Sequence, residues 1–166
     1  MTTAEAMPET QKIATYYVVP VTPDIGIESV LYYEGPLKSK WKSVSKKDLN
    51  AHNQGCNAGL VKLIQPSEDQ ILASTDLSPA QLDRTASLYC GVAKTLGEPD
   101  QLKSYYAIDA DGSLTINVSK DTTRGLILIF TQTDPLNGDS TRYPVRQLIA
   151  TTDPEIKNSA IGTGGH

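Results

Sequence analysis

His52 and Cys56 lie four residues apart, a spacing at which a histidine could activate a cysteine thiol for nucleophilic attack. Gly55 interrupts any helix that would align the two side chains, and no local catalytic signature surrounds Cys56. We therefore favour an ordinary histidine at a helix end and an unreactive thiol. A metal site that adds Cys90 to this pair is less favoured still. The sequence predicts no catalytic residue, no cofactor and no metal ion.

The segment Lys38–Lys47 is the one strongly charged stretch, with five lysines, no acidic residue and the sole tryptophan, Trp41. In an extended chain Lys38, Lys40 and Lys42 share one face, with Trp41 on the other. Such a surface could hold phosphates while the ring stacks on a base, or it could meet an acidic patch on a protein partner. The scarcity of arginine argues against nucleic acid. We favour a solvated edge strand whose lysines prevent unwanted pairing and whose Trp41 anchors it in the core.

Arg142 and Arg146 are separated by an even number of residues, so on one strand they share a face. Together with Arg124 and several tyrosines, that face could line a pocket for an anionic ligand. The alternative is a pair of exposed arginines that balance the acidic remainder of a chain of net charge −4. We favour this alternative.

The segment Asp109–Gly112 resembles part of a calcium loop, but its spacing fails. With Gly112 at the sixth position of an EF-hand loop, Ala107 and Val118 occupy positions whose side chains should supply oxygen ligands. A hairpin turn is the better interpretation. Phosphate-binding glycine loops and the Gly-x-Ser-x-Gly elbow are absent from the sequence.

The elements that would position these residues are mainly strands. Short β-branched and aromatic runs, separated by Pro, Gly and Asp, predict a β-rich α+β fold with mostly antiparallel sheets. The predicted strands are Ile13–Val19, Ile27–Glu34, Leu60–Ile64, Ile71–Ser74, Tyr105–Ile108, Leu114–Val118, Leu126–Gln132 and Tyr143–Ile149.

Two helix starts are also predicted. Ser78, Pro79 and Gln81 have the order of a capping box, and an apolar stripe follows to Leu96, which predicts a long helix over about 79–96. A similar start at Ser45 predicts a short helix over about 46–53.

Both ends of the chain lack apolar periodicity, which predicts an N-terminal arm over 1–11 and a C-terminal arm over 151–166 around one globular domain over 12–150. No signal peptide and no apolar run of about 20 residues is expected, so we predict no membrane association and no secretion. Most of the aromatic residues are tyrosines, with eight Tyr against one Trp and one Phe. Tyrosine is common in protein interfaces.

These features together favour a non-enzymatic structural protein that acts in a multi-copy complex. A β-rich body with polar arms and no catalytic residues is typical of a bacteriophage or virus particle component of the decoration, tail or connector type. Such a protein would be found in the virion or the host cytoplasm. Its partners would be protein subunits, most simply further copies, bound by the arms or by the first and last strands. The alternative is a small intracellular binding or inhibitor module for an anionic small molecule or a protein partner. An enzyme that uses only carboxylates stays open as a third hypothesis.

Overall fold

The chain folds as two stacked β-sheets with a thin helical layer on one side. The computed structural model describes residues 13–22, 30–35, 40–52, 58–97, 103–119, 121–133, 146–150 and 154–158. Within these ranges the β-rich class predicted from the sequence is confirmed.

The first sheet has five strands. They are β1 (Ile13–Pro20), β2 (Val30–Glu34), β3 (Lys42–Val44), β5 (Ala58–Ile64) and β8 (Leu114–Ser119). Their spatial order is β3-β2-β1-β5-β8, and only the β1–β5 pairing in this sheet is parallel. Strand β1 therefore lies in the middle of the sheet, while β3 and β8 form its edges.

The second sheet has six strands. They are β4 (Leu49–Asn50), β6 (Ala86–Thr95), β7 (Lys103–Ala107), β9 (Thr123–Thr133), β10 (Arg146–Ala150) and β11 (Glu155–Lys157). The order is β4-β11-β9-β6-β7, and β10 pairs with the end of β9 beyond β11. The β4–β11 pairing is parallel and the others are antiparallel, so β9 has partners along both sides.

The core lies between the two sheets and follows the period-two alternation of the strands. Leu126, Leu128 and Phe130 of β9 are buried at every second position, and they pack with residues such as Tyr16 and Ile116 of the first sheet. Burying each such side chain stabilises the fold by about 1.5–3 kcal/mol.

The predicted long helix over 79–96 is wrong. Its start forms as expected, because Gln81 Oε1 accepts a hydrogen bond from the Ser78 backbone N–H at 2.8 Å. The helix nevertheless ends after one 3-10 turn (Pro79–Gln81), and β6 begins at Ala86. Pairing with β9 and β7 satisfies the β6 backbone on both sides, and this tertiary gain overrides the helical spacing of the apolar residues.

The predicted short helix over 46–53 is also wrong within the described residues, which reach 52. Ser45 instead closes a turn, in which its backbone carbonyl accepts from Asp48 N–H at 2.9 Å, and β4 follows. Leu49 is fully buried in the core between the sheets, which favours an extended segment beside β11.

The helix of this fold lies where a strand was predicted. Residues Ile71–Ser74 belong to α1 (Glu68–Ser74), whose capping box joins Ser67 to Gln70. Ser67 Oγ accepts from the Gln70 backbone at 3.2 Å, and Gln70 Oε1 accepts from the Ser67 backbone at 2.9 Å. No helix in the described part of the chain is long and apolar enough to cross a membrane.

The turn at Asp109–Gly112 forms, but it does not close a hairpin. Gly112 has φ of +84°, which favours glycine, and its N–H donates to the Asp109 carbonyl at 2.9 Å. Because β7 belongs to the second sheet and β8 to the first, this turn carries the chain from one sheet to the other.

Part of the segment predicted as a C-terminal arm lies in the sheet. Ile156 of β11 is fully buried in the core, and the side-chain amide of buried Asn158 donates to the Val118 carbonyl at 2.9 Å. The N-terminal arm over 1–11 lies outside the described residues. The division into two arms and one globular domain stays a prediction.

The helical layer covers the outer face of the first sheet alone. Helix α1 and the 3-10 turn bring Ile71 and Leu82 against Tyr17, Val19 and other outward side chains of that sheet. The turn is fastened there by hydrogen bonds from Asp83 N–H to the Pro20 carbonyl and from Thr22 N–H to the Gln81 carbonyl. Among the described residues no helix or strand covers the outer face of the second sheet.

Because β11 is buried, we expect the same substitution to lower the free energy of unfolding more at Ile156 than at Ile127. Ile156→Ala should lower the free energy of unfolding by about 2–5 kcal/mol, because it leaves a cavity in the core. Ile127→Ala, on the exposed face of β9, should cost about 1 kcal/mol or less. Urea unfolding followed by circular dichroism measures both values. Equal losses would contradict the placement of β11 in the core.

The turn between the sheets predicts a pH dependence. Hydrogen bonds from Ser113 and the Lys62 ammonium, 3.0 Å away, hold the pKa of the Asp111 carboxyl well below its usual range. A carboxyl whose pKa is lower in the folded state stabilises the fold above its unfolded pKa of about 3.9. That contribution is lost as the pH falls towards the folded pKa.

In Asp111→Asn the free energy of unfolding should therefore fall less between about pH 7 and about pH 3 than it does in the wild-type chain. Lys62→Met removes only the ion pair and should have a smaller effect, because the bonds from Ser113 remain. Urea unfolding at the two pH values tests this order. An unchanged pH dependence in Asp111→Asn would refute it.

Candidate interaction surface

The described lysines Lys40 and Lys47 of the 38–47 segment pair with acidic residues on different elements. Lys40 Nζ lies 2.6 Å from Asp76 Oδ1, just beyond α1, whereas Lys47 Nζ lies 3.4 Å from Glu155 Oε2 of β11. Lys42 is exposed on β3, the edge of the first sheet, and Lys38 lies outside the described residues. Acidic residues therefore partly neutralise this segment, which weakens the case for a phosphate-binding strip.

Trp41 is part of the core beneath the helical layer. Its ring stacks on Tyr17 with centroids 4.0 Å apart, and it lies tilted against Tyr33 at 6.3 Å. Its backbone N–H donates to the Ser74 carbonyl at 2.8 Å, which ties the start of β3 to the end of α1. A ring held in this way is not free to stack on a nucleic-acid base, and the edge-strand interpretation of the segment agrees with it.

The arginine pair of the last strand is not brought together by the described structure. Arg146 opens β10, with its Cα opposite Thr133 of β9. Arg142 lies outside the described residues. The common face predicted for the two stays a prediction.

Arg124 of β9, which the sequence offered as one possible residue of a pocket for an anionic ligand, is a buried cation. Its guanidinium instead donates four hydrogen bonds within the protein, and among the described residues no carboxylate pairs with it. The acceptors are Tyr106 Oη at 2.7 Å, Ser104 Oγ at 3.0 Å, and the carbonyls of Asn117 at 3.1 Å and Ala93 at 3.2 Å. Arg124 thus links β9 to β6, β7 and β8 and closes one end of the sandwich.

The histidine and the cysteines do not assemble a site in the described structure. His52 is exposed, and its backbone N–H donates to Asn50 Oδ1 at 2.8 Å. Cys90 is buried on β6, while Cys56 lies outside the described residues. Over the residues that the structure describes, no three His, Cys, Asp or Glu side chains are grouped to hold a metal ion.

The outer face of the second sheet carries an apolar surface. We call it the outer strip and define it by Tyr89, Val92, Leu96, Tyr105 and Ile127. Val92 is directly opposite Tyr105 on one side and Ile127 on the other, so these three form a row across β7, β6 and β9. Tyr105 is 65% exposed, Tyr89 49% and Ile127 43%.

A β-bulge in β6 shapes the outer strip. The pairing of β6 with β9 shifts between Leu88 and Cys90, which leaves Tyr89 as the extra residue. Such a bulge turns the intervening side chain and increases the local twist, and here it leaves the large Tyr89 ring exposed beside the row. A hydrogen bond with the side chain of Cys90 raises the pKa of the Tyr105 hydroxyl.

A groove of about 450 Å³ continues from the outer strip along the sheet. Val92, Ile127 and Leu96 contribute its apolar lining, and the Lys47–Glu155 ion pair lies at its margin. Leu96 folds closely over Gly125, where an added Cβ would lie 3.1 Å from Leu96 Cδ2. The outer strip and the groove thus form one continuous apolar surface with both signs of charge beside it.

Exposed apolar residues that lie side by side on a sheet are less common than single ones. Single exposed apolar residues are ordinary, whereas contiguous apolar patches are a feature that many interaction sites share. Sequence reasoning missed this surface because it assigned Tyr89 and Val92 to a helix. Their exposure becomes visible only when β6 is recognised as a strand between β7 and β9.

The Arg124 network predicts that lysine cannot replace this arginine. Lysine has three donors on one nitrogen and cannot reach four acceptors spread over three strands, so Arg124→Lys should lower the free energy of unfolding by about 2–3 kcal/mol. The matched control is Arg84→Lys, which alters an exposed bidentate pair with Glu68 and should cost clearly less, because water screens an exposed ion pair. Urea unfolding compares them, and equal losses would contradict a structural role for Arg124.

Similarity to known proteins does not indicate a function for this chain, so its function is inferred from the geometry of its surface. No protein-family model matches this chain, and no curated protein and no solved structure is significantly similar to it.

Proposed function

We propose that this chain is a non-enzymatic structural protein that works in a multi-copy assembly, with the outer strip as its subunit contact. The observation that carries the proposal is the exposed row of Tyr105, Val92 and Ile127 across the centre of the second sheet. The first sheet has its outer apolar face covered by α1, whereas this face has no cover among the described residues. Packing against a partner would remove the exposed apolar area from water.

The partner that fits this surface best is a second copy of the chain. In a two-fold contact each patch meets itself, so a margin of a single charge sign would repel its own copy. The margin of the groove holds Lys47 and Glu155 side by side, and a two-fold operation can place each opposite the other sign. Tyrosines such as Tyr89 and Tyr105 suit a subunit contact, because the ring can pack against the partner while the hydroxyl remains hydrated.

A particle component of a bacteriophage or virus, of the decoration, tail or connector type, remains the class of protein that we propose. The support is a compact β-rich body with an open sheet face, together with arms predicted at both ends. Strand β1 pairs with β5 through Ile13–Tyr17 and with β2 through Tyr17–Pro20, so each of its sides is partly occupied and is less open to a neighbour's sheet than one sequence-based hypothesis required. The apolar face takes over that role in the proposal.

The alternative, a module for an anionic ligand held by arginines, is weakened at one residue. Arg124 is one of the three arginines that could line such a pocket, and its four hydrogen bonds are to neutral groups inside the sandwich. The remaining two, Arg142 and Arg146, give this alternative no contact in the described structure.

The proposal is tested by the mass of the protein in solution. We expect the wild-type chain to self-associate as its concentration rises in analytical ultracentrifugation. Ile127→Lys should weaken association by about 100-fold or more, because in a two-fold contact each copy loses one buried isoleucine. The matched control is Ile13→Lys, which changes another exposed isoleucine at the start of β1.

A wild-type chain that stays monomeric at all accessible concentrations would refute the proposal. Equal weakening by Ile127→Lys and Ile13→Lys would show that the contact does not use the outer strip. Circular dichroism of both variants checks that the fold is kept.

A further inference from the structure

A cleft of about 280 Å³ opens between the start of β3 and the residues that follow α1. Tyr33, Lys40, Trp41, Asp76 and Leu77 are among its lining residues. It lies on the helical side of the first sheet, away from the outer strip on the second sheet. Its role is therefore independent of the assembly contact.

Trp41, which lines the cleft, has an unused hydrogen-bond donor. The residue is 7% exposed, and its indole N–H has no acceptor within the described structure. Buried donors in proteins are almost always paired, and an unpaired one calls for an explanation such as an absent ligand.

Tyr33 brings a second donor to the same cleft. It is 8% exposed, and its hydroxyl has no hydrogen-bond acceptor among the residues that the structure describes. Burial, and secondarily the charge of Asp76, raises the pKa of this hydroxyl, so it remains a neutral phenol that can donate a proton in a hydrogen bond. Two aromatic residues with unused donors thus line one small cleft.

The Lys40–Asp76 ion pair lies at the solvent side of the cleft. Lys40 Nζ donates to Asp76 Oδ1 at 2.6 Å and to the Thr75 carbonyl at 3.3 Å, and both charged side chains are largely exposed. The hydrogen bond from Lys40 lowers the pKa of Asp76, which therefore stays ionised beside its ammonium partner. Because the two charges offset each other, the cleft does not repel a carboxylate, and the lysine adds a further donor.

We infer that this cleft binds a small molecule with a flat apolar body and a carboxylate or carbonyl oxygen. The oxygen accepts from the indole N–H of Trp41 and the hydroxyl of Tyr33, while the body packs against Leu77 and the aromatic rings. The volume lies near the lower end of ligand pockets, about 300–1,000 Å³, which suits a single substituted ring.

The sole tryptophan makes the test direct, because Trp41 gives one indole N–H signal in a ¹⁵N-labelled sample. The probes are benzoate, benzamide and benzylamine, three compounds of similar size that end in a carboxylate, a neutral amide and an ammonium group. Benzoate, benzamide or both should shift the Trp41 indole signal with a saturable dependence in about the millimolar range. Benzylamine, which offers no acceptor oxygen, should not.

Tyr33→Phe should weaken the binding of the active probe by about 3–10-fold, since it removes one donor. This variant should stay folded, because the lost hydroxyl has no partner within the described protein. Tyr89→Phe is the matched control, removing an exposed hydroxyl on the second sheet, and it should leave the affinity unchanged. Failure of both benzoate and benzamide to saturate, an equal response to benzylamine, or equal effects of the two Tyr→Phe variants would each overturn the inference.

Discussion

Strand β9 carries the constraint on which the rest of the structure depends, namely that successive side chains of a strand face opposite sides of the sheet. Leu126, Leu128 and Phe130 face the core and are buried by the first sheet. The same alternation sends Ile127 to the opposite face, where it is partly exposed. A strand central enough to hold the core together therefore also creates the apolar row that we assign to assembly. Core and contact surface are two sides of one element.

The outward-facing side chains of the two sheets are covered to different extents. In the first sheet the outward side chains Tyr17 and Tyr33 are covered by Trp41, α1 and the 3-10 turn, so that a second small core forms. In the second sheet the outward residues of β6, β7 and β9 have no such cover among the described residues. This asymmetry separates the two sites that we propose, because the covered face leaves a small cleft beside Trp41 and the open face offers a broad contact.

The charged residues mainly support the architecture. Among the described residues Arg124 is a buried cation without a carboxylate partner, an arrangement that is costly unless hydrogen bonds replace its water. Four acceptors on three strands bind its two terminal nitrogens, while its buried Nε has no partner within the described structure. The lysines around Trp41 pair with acids on separate elements, Lys40 with Asp76 and Lys47 with Glu155. These contacts fasten a sheet edge and a sandwich end, and the two sites that we propose are built mainly from apolar and aromatic residues.

The sequence by itself determined the β-rich class, most strands, and the local chemistry of turns, since each depends on nearby residues. The segment Leu126–Gln132 lies within β9, and the Ser78–Gln81 cap forms as its residue types dictate. Only the tertiary structure decided what followed that cap, because 86–95 is stabilised as a strand by partners far along the chain. It likewise decided that Arg124 faces inward and that Tyr105, Val92 and Ile127 meet in one row. Those outcomes depend on strand order and register, which long-range hydrogen bonds and core packing set and which no local pattern encodes.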